Sequence, residues 1–438
     1  MPRCNRLLQR NLRFPVSPRV AVAPHLLLGR PPRRAPPVRC DSPPETILSG
    51  PCGRTSPEGC DVVRALGKLV AIGTALGLAF PAAACARHQA VGSALEGERM
   101  NARGAGIEAS VRRVPGVFAG HHTLDGRPTG CTVILAPDGA TAGVDVRGGA
   151  PGTRETDLLD PVNSVQKIHG VVLSGGSAFG LETAGGAMRF LEEGGFGFPA
   201  GPVRVPIVPA AILFDLSIGD PAVRPDADCG YRAAEAAMRA DAPLAEGNVG
   251  AGAGATVGKV GGIERAMKGG IGNAVVELPS GLVVAAIVAV NAAGDVVDPT
   301  TGRTLAGVRT EQGDELAGAL TVLREQGAGE RRPGSSTVIG VVATNAALTQ
   351  AEATKVAQMA HDGIARAVVP SHTPWDGDTV FALATGEHEG AALTTIGAFA
   401  AEAVAEAIVR AIRAAESIDG IPALADMPRY DDAPDAPR

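Results

Sequence analysis

A threonine stands where a polar loop meets an apolar segment, and a single cut there would give it a second chemical group. Residues 324–335 (REQGAGERRPGS) are polar and contain Gly and Pro, whereas residues 337–344 form an apolar, β-branched run of strand length. A loop that enters a buried strand can be cut without loss of the core. Cleavage between Ser336 and Thr337 would leave Thr337 with a free amine beside its hydroxyl. Since an α-amine titrates at about 7.7–8.0, it is a competent base for that hydroxyl at neutral pH.

Two carboxylates flank a glycine in the polar segment that precedes the next apolar run. Asp376 and Asp378 follow the only tryptophan, Trp375. Alternation in an extended segment would place both carboxylates on one side. A solvated turn or an ordinary cation site would show the same spacing, so these interpretations stay open. A Ser/His/Asp triad through His372 is disfavoured, because the chain has no Gly-x-Ser-x-Gly nucleophile elbow.

A lysine and an asparagine complete the set of candidate site residues. Lys259 ends a glycine-rich stretch, residues 246–259, that fails as a phosphate-binding loop: Ala253 and Val260 stand where the motif needs Gly and Ser/Thr. Lys259 is therefore either a surface lysine or a group that points into a polar site. Asn291 ends a strongly apolar run; such a residue commonly forms a turn, but its amide could equally stabilise an oxyanion.

Composition limits the partners and the redox chemistry. The chain has 438 residues, a formal net charge of −6 and only 3% aromatic residues. We expect no nucleic-acid partner, because there is neither a basic excess nor a supply of stacking side chains. No CxxC pair exists, which argues against a zinc or redox motif. Cys131 and Cys229 stand far from the other cysteines, and we expect both to be free core thiols in a reducing compartment.

The first 110 residues differ from the rest. The first 60 contain ten Arg and twelve Pro, which predicts a disordered extension or a stretch upstream of the true translation start. Residues 64–85 pair a basic start with a short apolar run that ends at Cys85, a pattern similar to a bacterial lipoprotein signal. Translation from near Val62 would give an exported lipoprotein, whereas translation from Met100 would give a cytoplasmic protein. We favour the second account.

Residues 111–438 read as one α/β domain. A hairpin is predicted around Pro279, Ser280 and Gly281. Helical spacing begins at Ser177, which is a candidate N-cap. The predicted strands are 131–135, 170–173, 203–208, 274–278, 282–290, 337–344 and 379–384, and the predicted helices are 177–193, 231–239, 313–323, 349–366 and 391–414.

Several segments in order resemble one known family. From about Val114 to about Ser417 the chain is similar to the DmpA-like self-processing aminopeptidases. That family includes L-aminopeptidase/D-esterases, β-peptidyl aminopeptidases and the nylon-oligomer (6-aminohexanoate-oligomer) hydrolases. The matching segments are 130–133 (GCTV), 145–155 (DVRGGAPGTRE), 173–181 (LSGGSAFGL), 247–259 and 267–272 (MKGGIG).

The resemblance implies a fold and a site. The implied fold is a four-layer αββα sandwich, similar to N-terminal-nucleophile hydrolases but with different connectivity. Self-cleavage would separate an α chain ending at Ser336 from a β chain, 337–438. Ser336 stands where relatives usually have Asn or Gly, so Ser335 and Ser336 remain alternative junction residues. The implied catalytic residues are Thr337 as nucleophile, Asn291 at the oxyanion, Lys259 beside them, and Asp376 with Asp378, the carboxylate pair of the nylon-hydrolase branch.

The expected activity follows from this resemblance. We expect a self-cleaving N-terminal-threonine amidohydrolase or aminopeptidase for short peptides, amino-acid amides or related amide oligomers. It would need no metal or organic cofactor and would assemble as a homo-oligomer of αβ units. Two alternatives remain: acyl transfer of the ornithine-acetyltransferase kind, and a non-processing binding protein with the same fold.

Overall fold

The computed structural model describes residues 110–239, 242–326, 335–418 and 420–428. The expectations for residues 1–109 lie outside this range. Five α-helices are present in the described part: α1 (Thr183–Glu193), α2 (Ala227–Arg239), α3 (Ala319–Gln326), α4 (Gln350–Ala367) and α5 (Leu393–Arg413). The strands there are β1 (Phe118–Thr123), β2 (Gly130–Val146), β3 (Thr153–Arg154), β4 (Lys167–Ser174), β5 (Phe198–Ala200), β6 (Val203–Val205), β7 (Ala210–Ile212), β8 (Thr256–Val257), β9 (Met267–Lys268), β10 (Gly270–Glu277), β11 (Val283–Asn291), β12 (Asp295–Val297), β13 (Thr304–Ala306), β14 (Thr337–Ala346), β15 (Val368–Val369) and β16 (Thr379–His388).

One long strand joins two halves of the main sheet. The sheet runs β10-β11-β14-β16-β2-β4-β7-β3, with β1 also paired to β2. Near its C-terminal end β2 pairs with β16, and near its N-terminal end it pairs with β1. Its register with β4 shifts between Leu135 and Ala140. The irregularity lets one strand serve both halves.

Side-chain alternation divides the domain into four layers. In β11, the even-numbered residues such as Val288 pack with α4 and α5 in one apolar cluster. The odd-numbered residues such as Ile287 pack in a second cluster, which also contains Ile134 and Val171 from the other half of the sheet. A third cluster joins the outer face of that half to α1 and α2. The order helix, sheet, sheet, helix confirms the αββα sandwich that the resemblance implied.

Helix α4 shows how local sequence specifies an outer layer. Thr349 caps it: the Thr349 hydroxyl accepts from the Glu352 N–H at 3.3 Å, and the Glu352 carboxylate accepts from the Thr349 N–H at 2.8 Å. Such a reciprocal pair satisfies two donors at the helix start. Gly363 lets α5 approach, since a Cβ there would lie 2.3 Å from the Ala401 carbonyl oxygen. The cap and the glycine therefore set where α4 starts and how closely it packs.

Most sequence-predicted elements are present, and three differ. The β10–β11 hairpin, β14 and β16 are confirmed. Residues 313–318 are not helical, because a turn closed by the Thr310 N–H to Glu315 carbonyl bond occupies the segment before α3. Ser177 does not cap a helix; it has φ +56° and opens a 3₁₀ turn that precedes α1. The strand predicted at 203–208 ends at Val205, before Pro206.

The prediction that Cys131 and Cys229 are free core thiols was wrong. The structure joins them in a disulfide, with Cα atoms 6.3 Å apart. The reason is packing: β2 carries Cys131 and α2 carries Cys229, and both residues belong to the same buried cluster. Without free thiols, these two residues no longer support a reducing compartment.

Among the described residues, none of the helices combines the length and the apolar composition that a membrane span requires.

Candidate active site

The sequence-predicted residues meet at one end of the main sheet. Asn291 is the last residue of β11 and lies opposite Thr337, the first residue of β14. Strand β16 runs parallel to β14, so its start at Thr379 reaches the same end. Asp376 and Asp378 precede β16 directly. By alternation, Asn291 and Thr337 both point toward the space between the two sheet halves.

The bond between Ser336 and Thr337 is buried and surrounded by hydrogen-bond donors. Each of the two residues is 2% exposed. The Thr337 hydroxyl donates to the Ser336 carbonyl oxygen at 2.5 Å. The backbone N–H of Gly377 donates to the same oxygen at 3.0 Å. The hydroxyl therefore already contacts the carbonyl that self-cleavage would have to attack.

The amide of Asn291 is fixed in one orientation. Its oxygen accepts from the Thr256 N–H at 3.0 Å and from Lys259 Nζ at 2.7 Å. Its nitrogen donates to the Phe214 carbonyl at 3.0 Å. If the amide were flipped, its NH₂ group would face the Thr256 N–H and Lys259 Nζ, and its oxygen would face the Phe214 carbonyl. Only the observed orientation satisfies these contacts. An NH₂ group has two hydrogens, and among the described residues only the Phe214 carbonyl accepts from this one.

Lys259 contacts Asn291 and is not a solvated surface lysine. It follows Gly258, whose φ of +73° turns the chain, and its Nζ donates to both the side-chain and the backbone oxygen of Asn291. Burial lowers the pKa of Lys259 to about 7, and the nearby carboxylates of Asp376, Asp215 and Asp378 partly oppose that shift. At neutral pH the amine is thus poised between its charged and neutral forms.

Asp378 holds the start of β14. One carboxylate oxygen accepts from the Val338 N–H at 2.7 Å. The other accepts from the His372 N–H at 3.0 Å and from His372 Nδ1 at 2.8 Å. The residue after Thr337 and the loop before β16 are therefore tied to one buried carboxylate. His372 Nδ1 contacts Asp378 as in a serine triad, but Nε2 has no partner among the described residues, so no serine hydroxyl completes such a triad there.

Asp376 differs from Asp378 in having one oxygen without a partner in the described part of the chain. One of its oxygens accepts from the Thr373 N–H at 2.8 Å. The other is buried and has no partner among the described residues. Burial and the neighbouring Asp378 raise the pKa of Asp376, while Thr373 and Lys259 act in the opposite direction. A buried oxygen without a donor is a ready acceptor for an amine.

Sequence reasoning missed Asp215. Its carboxylate is buried against Arg127 and also accepts from the Thr129 hydroxyl at 2.6 Å and the Gly176 N–H at 2.9 Å. Asp215 follows Phe214, so this network fixes the carbonyl that receives the Asn291 amide. The partners lie 39 to 88 residues away along the chain, and no local motif signals them.

Lys268 is a second missed residue, although its segment carried part of the family resemblance. Its side chain is fully buried, and Nζ donates to the carbonyls of Gly252, Ala255 and Gly269 at 3.0, 3.0 and 2.8 Å. Burial lowers its pKa to about 7. The lysine thereby anchors the glycine-rich loop that delivers Thr256 and Lys259 to Asn291.

The segment that follows β2, residues 147–150, packs against the backbone of the loop that carries Asp376 and Asp378. The Ala150 N–H donates to the Asp376 carbonyl at 2.8 Å. A Cβ on Gly148 would lie 2.2 Å from the Asp376 carbonyl oxygen, and one on Gly149 would lie 2.7 Å from Pro374. Glycine is required there because two backbones touch.

Comparison with known proteins gives consistent matches over this part of the chain. The sequence model of "Peptidase family S58" matches residues 110–424. An uncharacterized aminopeptidase of Mycobacterium leprae is 45% identical over 350 residues, covering 73% of this chain and 94% of that protein. A 6-aminohexanoate-oligomer endohydrolase of Paenarthrobacter ureafaciens is 30% identical over 312 residues, covering 68% and 84%.

Solved structures agree with the sequence matches. A beta-aminopeptidase of Burkholderia sp. superposes with a TM-score of 0.50 at 25% identity, covering 72% of this chain and 89% of that one. The L-aminopeptidase D-Ala-esterase/amidase of Ochrobactrum anthropi, described as a variant of the Ntn-hydrolase fold, gives a TM-score of 0.50 at 22% identity, covering 72% and 89%. The second match supports the fold alone.

Proposed function

The chain belongs to peptidase family S58, and we propose that it is a self-cleaving hydrolase with Thr337 as its N-terminal nucleophile. Membership makes the protein a hydrolase of the aminopeptidase and amidase type. We further propose that the chain is cut between Ser336 and Thr337, that Thr337 is the nucleophile, and that the substrates are short peptides, amino-acid amides or amino-acid oligomers.

The contact between the Thr337 hydroxyl and the Ser336 carbonyl oxygen is the observation that carries the proposal. Threonine at a strand start is common and by itself means little. Here the hydroxyl lies against the preceding carbonyl, beside a fixed amide at Asn291 and two buried carboxylates. A strand start without a chemical role would not need a lysine whose pKa burial has lowered to about 7.

The first stage is an acyl shift within the chain. The Thr337 oxygen adds to the Ser336 carbonyl carbon, the C–N bond breaks, and the hydroxyl proton ends on the Thr337 nitrogen as part of a new amine. Water then adds to the resulting ester and releases the Ser336 carboxylate, which restores the Thr337 hydroxyl. The products are a chain ending at Ser336 and a chain beginning with a free threonine amine.

The second stage is turnover. The Thr337 amine accepts the hydroxyl proton while the oxygen attacks a substrate amide, and the proton then passes to the leaving amine. The free hydrogen of the Asn291 NH₂ group would bind the oxyanion. Lys259, through its bond to the Asn291 oxygen, polarises the amide and strengthens it as a donor. Water completes hydrolysis of the acyl-enzyme.

The Asp376 carboxylate supplies the partner that the new amine needs. Its unpartnered oxygen is buried at the parallel bridge between Asp376 and Ser336. An ammonium or amine there would satisfy an acceptor that has no partner among the described residues of the uncut chain. Asp378, already bound to three N–H groups, would hold the strand instead.

The two fragments would remain together after the cut. Strand β14 lies between β11 and β16, with hydrogen-bonded neighbours on both sides. The fragment 337–438 also supplies α4 and α5, whose apolar residues pack on the sheet. Separation would expose that entire face to water.

The substrate class is drawn from the relatives and the site together. Relatives carry the names aminopeptidase and 6-aminohexanoate-oligomer endohydrolase. Acidic groups beside an N-terminal nucleophile suit substrates with an ammonium group near the amide, so short peptides, amino-acid amides and amino-acid oligomers are the candidates.

Purified wild-type protein and Thr337→Ala test the proposal together. We expect the wild type to run as two bands on a denaturing gel and to hydrolyse amino-acid amides. Thr337→Ala should run as one band without activity, at an unchanged thermal midpoint. Substantial hydrolysis by Thr337→Ala would overturn the assignment of the nucleophile.

A further inference from the structure

The carbonyl at the bond to be cut is not bound by the residue assigned to the substrate oxyanion. Its oxygen, on Ser336, accepts from the Gly377 N–H at 3.0 Å. Among the described residues, Asn291 Nδ2 donates to the Phe214 carbonyl and not to Ser336. Two amide N–H donors therefore lie on different sides of Thr337: Asn291 on the β11 side and Gly377 on the β16 side.

We propose that the protein uses two separate oxyanion donors, the Gly377 N–H for self-cleavage and the Asn291 amide for substrate turnover. The proposal rests on the proposed function, because it concerns the bond that this function requires to be cut. It adds a catalytic group, a backbone amide, that acts once in the life of each molecule.

The geometry meets the requirement for an oxyanion donor. When the Thr337 oxygen bonds to the Ser336 carbonyl carbon, the π electron pair moves to the carbonyl oxygen, which becomes negative. A donor about 2.7–3.1 Å away stabilises that charge without having to move, and the Gly377 N–H already lies at 3.0 Å. Collapse of the adduct returns the electron pair to the C=O bond as the C–N bond breaks.

Glycine is the residue that this position needs. A Cβ on Gly377 would lie 2.9 Å from the Thr337 hydroxyl oxygen and 2.9 Å from the Ala150 carbonyl oxygen. A side chain would therefore displace either the nucleophile or the N–H that binds the carbonyl. The same small residue keeps the hydroxyl and the donor close to one carbonyl.

The alternative is that the Gly377 bond only extends the sheet. Ser336 and Asp376 form a parallel bridge that continues the β14–β16 pairing, and a ladder bond would look the same. The two interpretations differ in what Asn291 does. If one donor served both reactions, removal of the Asn291 side chain would block self-cleavage as well as turnover.

Cell-free synthesis of the full chain, followed over time on a denaturing gel, separates the two reactions. The variants are Gly377→Ala, Asn291→Ala, the uncut reference Thr337→Ala, and Gly185→Ala as a control. Outside its own helix, a Cβ on Gly185 would meet no atom within 4 Å among the described residues. In Asn291→Ala, Lys259 keeps its bond to the residue-291 backbone carbonyl. Turnover is measured on an amino-acid amide, and thermal midpoints report folding.

We expect Gly377→Ala, whose Cβ would displace the residue-377 N–H or the Thr337 hydroxyl, to slow the cut by about 10²-fold or more, the size of effect that follows loss of one oxyanion donor, at a midpoint close to that of Thr337→Ala. Asn291→Ala should be cut at the wild-type rate but lose about 10²–10³-fold in turnover. Gly185→Ala should match the wild type in both.

Folded Gly377→Ala that is cut at the wild-type rate would overturn the proposal, as would folded Asn291→Ala that stays uncut. If Gly377→Ala does not fold, Asn291→Ala decides: cutting supports two donors, and a folded uncut chain refutes them. A wild-type chain that is never cut would refute the proposed function itself, which is a distinct result.

Discussion

Asn291 and Thr337 lie opposite each other where β11 ends and β14 begins, and both side chains point between the two sheet halves. The pairing places an amide with a free hydrogen beside a hydroxyl that contacts the preceding carbonyl. A strand register, not a local motif, thus brings the nucleophile to its proposed oxyanion donor.

Replacement by asparagine should have different effects at the two aspartates before β16. Asp376→Asn keeps its size and removes an acceptor that has no partner among the described residues of the uncut chain. It should therefore leave the thermal midpoint near the wild-type value and lower turnover by about 10²–10⁴-fold, the usual contribution of proton-transfer groups. Turnover and midpoint measured on the same sample decide it, and near-normal turnover would contradict the role given to Asp376.

Asp378→Asn should damage folding as well as turnover. The carboxylate accepts from three N–H groups, two from His372 and one from Val338. An amide would turn an NH₂ group toward at least one of these donors, at a cost of about 1–3 kcal/mol. We expect a midpoint several degrees lower, since 1 kcal/mol corresponds to about 2–4 °C in a domain of this size class. An unchanged midpoint would show that Asp378 does not hold the start of β14.

Lys259→Met should lower turnover without unfolding the protein. The variant loses the donor to the Asn291 oxygen, while the Thr256 N–H still fixes the amide. We expect a drop of about 10–10²-fold, less than for loss of an oxyanion donor itself. Lys355→Met, at an exposed position on α4, is the matched control. Equal turnover in the two variants would remove Lys259 from the site.

Lys268 should make stability depend on pH. Burial lowers its pKa to about 7 in the folded protein, against 10.5 ordinarily. Between these values the unfolded chain binds the extra proton, so stability should rise with pH from about 7 toward 10.5. Lys259 adds a second contribution of the same sign. In Lys268→Met the rise should be smaller than in Lys355→Met, as followed by denaturant midpoints from pH 7 to 9. If Lys268→Met and Lys355→Met show the same rise in stability with pH, the pKa of Lys268 is not lowered in the folded protein.

The disulfide between Cys131 and Cys229 should stabilise the fold. It joins residues 98 positions apart, and loss of a native disulfide typically costs about 2–5 kcal/mol. Cys229→Ala should melt lower than the wild type under oxidising conditions. Reductant should lower the wild-type midpoint and leave that of the variant unchanged. If the wild-type midpoint stays the same after the protein has been treated with reductant while denatured, the two thiols are free.

Sequence reasoning succeeded where the signal was local or carried by the family resemblance. The apolar runs that became β11, β14 and β16 are continuous in sequence, and the helix predicted over 349–366 is specified by its own residues. The four layers and the grouping of Thr337, Asn291 and Lys259 came from the resemblance. Asp215 and the disulfide were missed because each depends on partners far along the chain. The difference between Asp376 and Asp378 depends on which backbone N–H groups face them, and no spacing rule reveals that.

Intact-mass analysis of the purified wild-type protein, with N-terminal sequencing of the smaller species, shows whether the chain is cut before Thr337. We expect two chains, the smaller with the mass of residues 337–438 and threonine as its first residue, and one uncut chain for Thr337→Ala. A small chain that begins at Ser335 or Ser336 would reassign the nucleophile. A single full-length mass in a preparation that hydrolyses amides would contradict self-cleavage altogether.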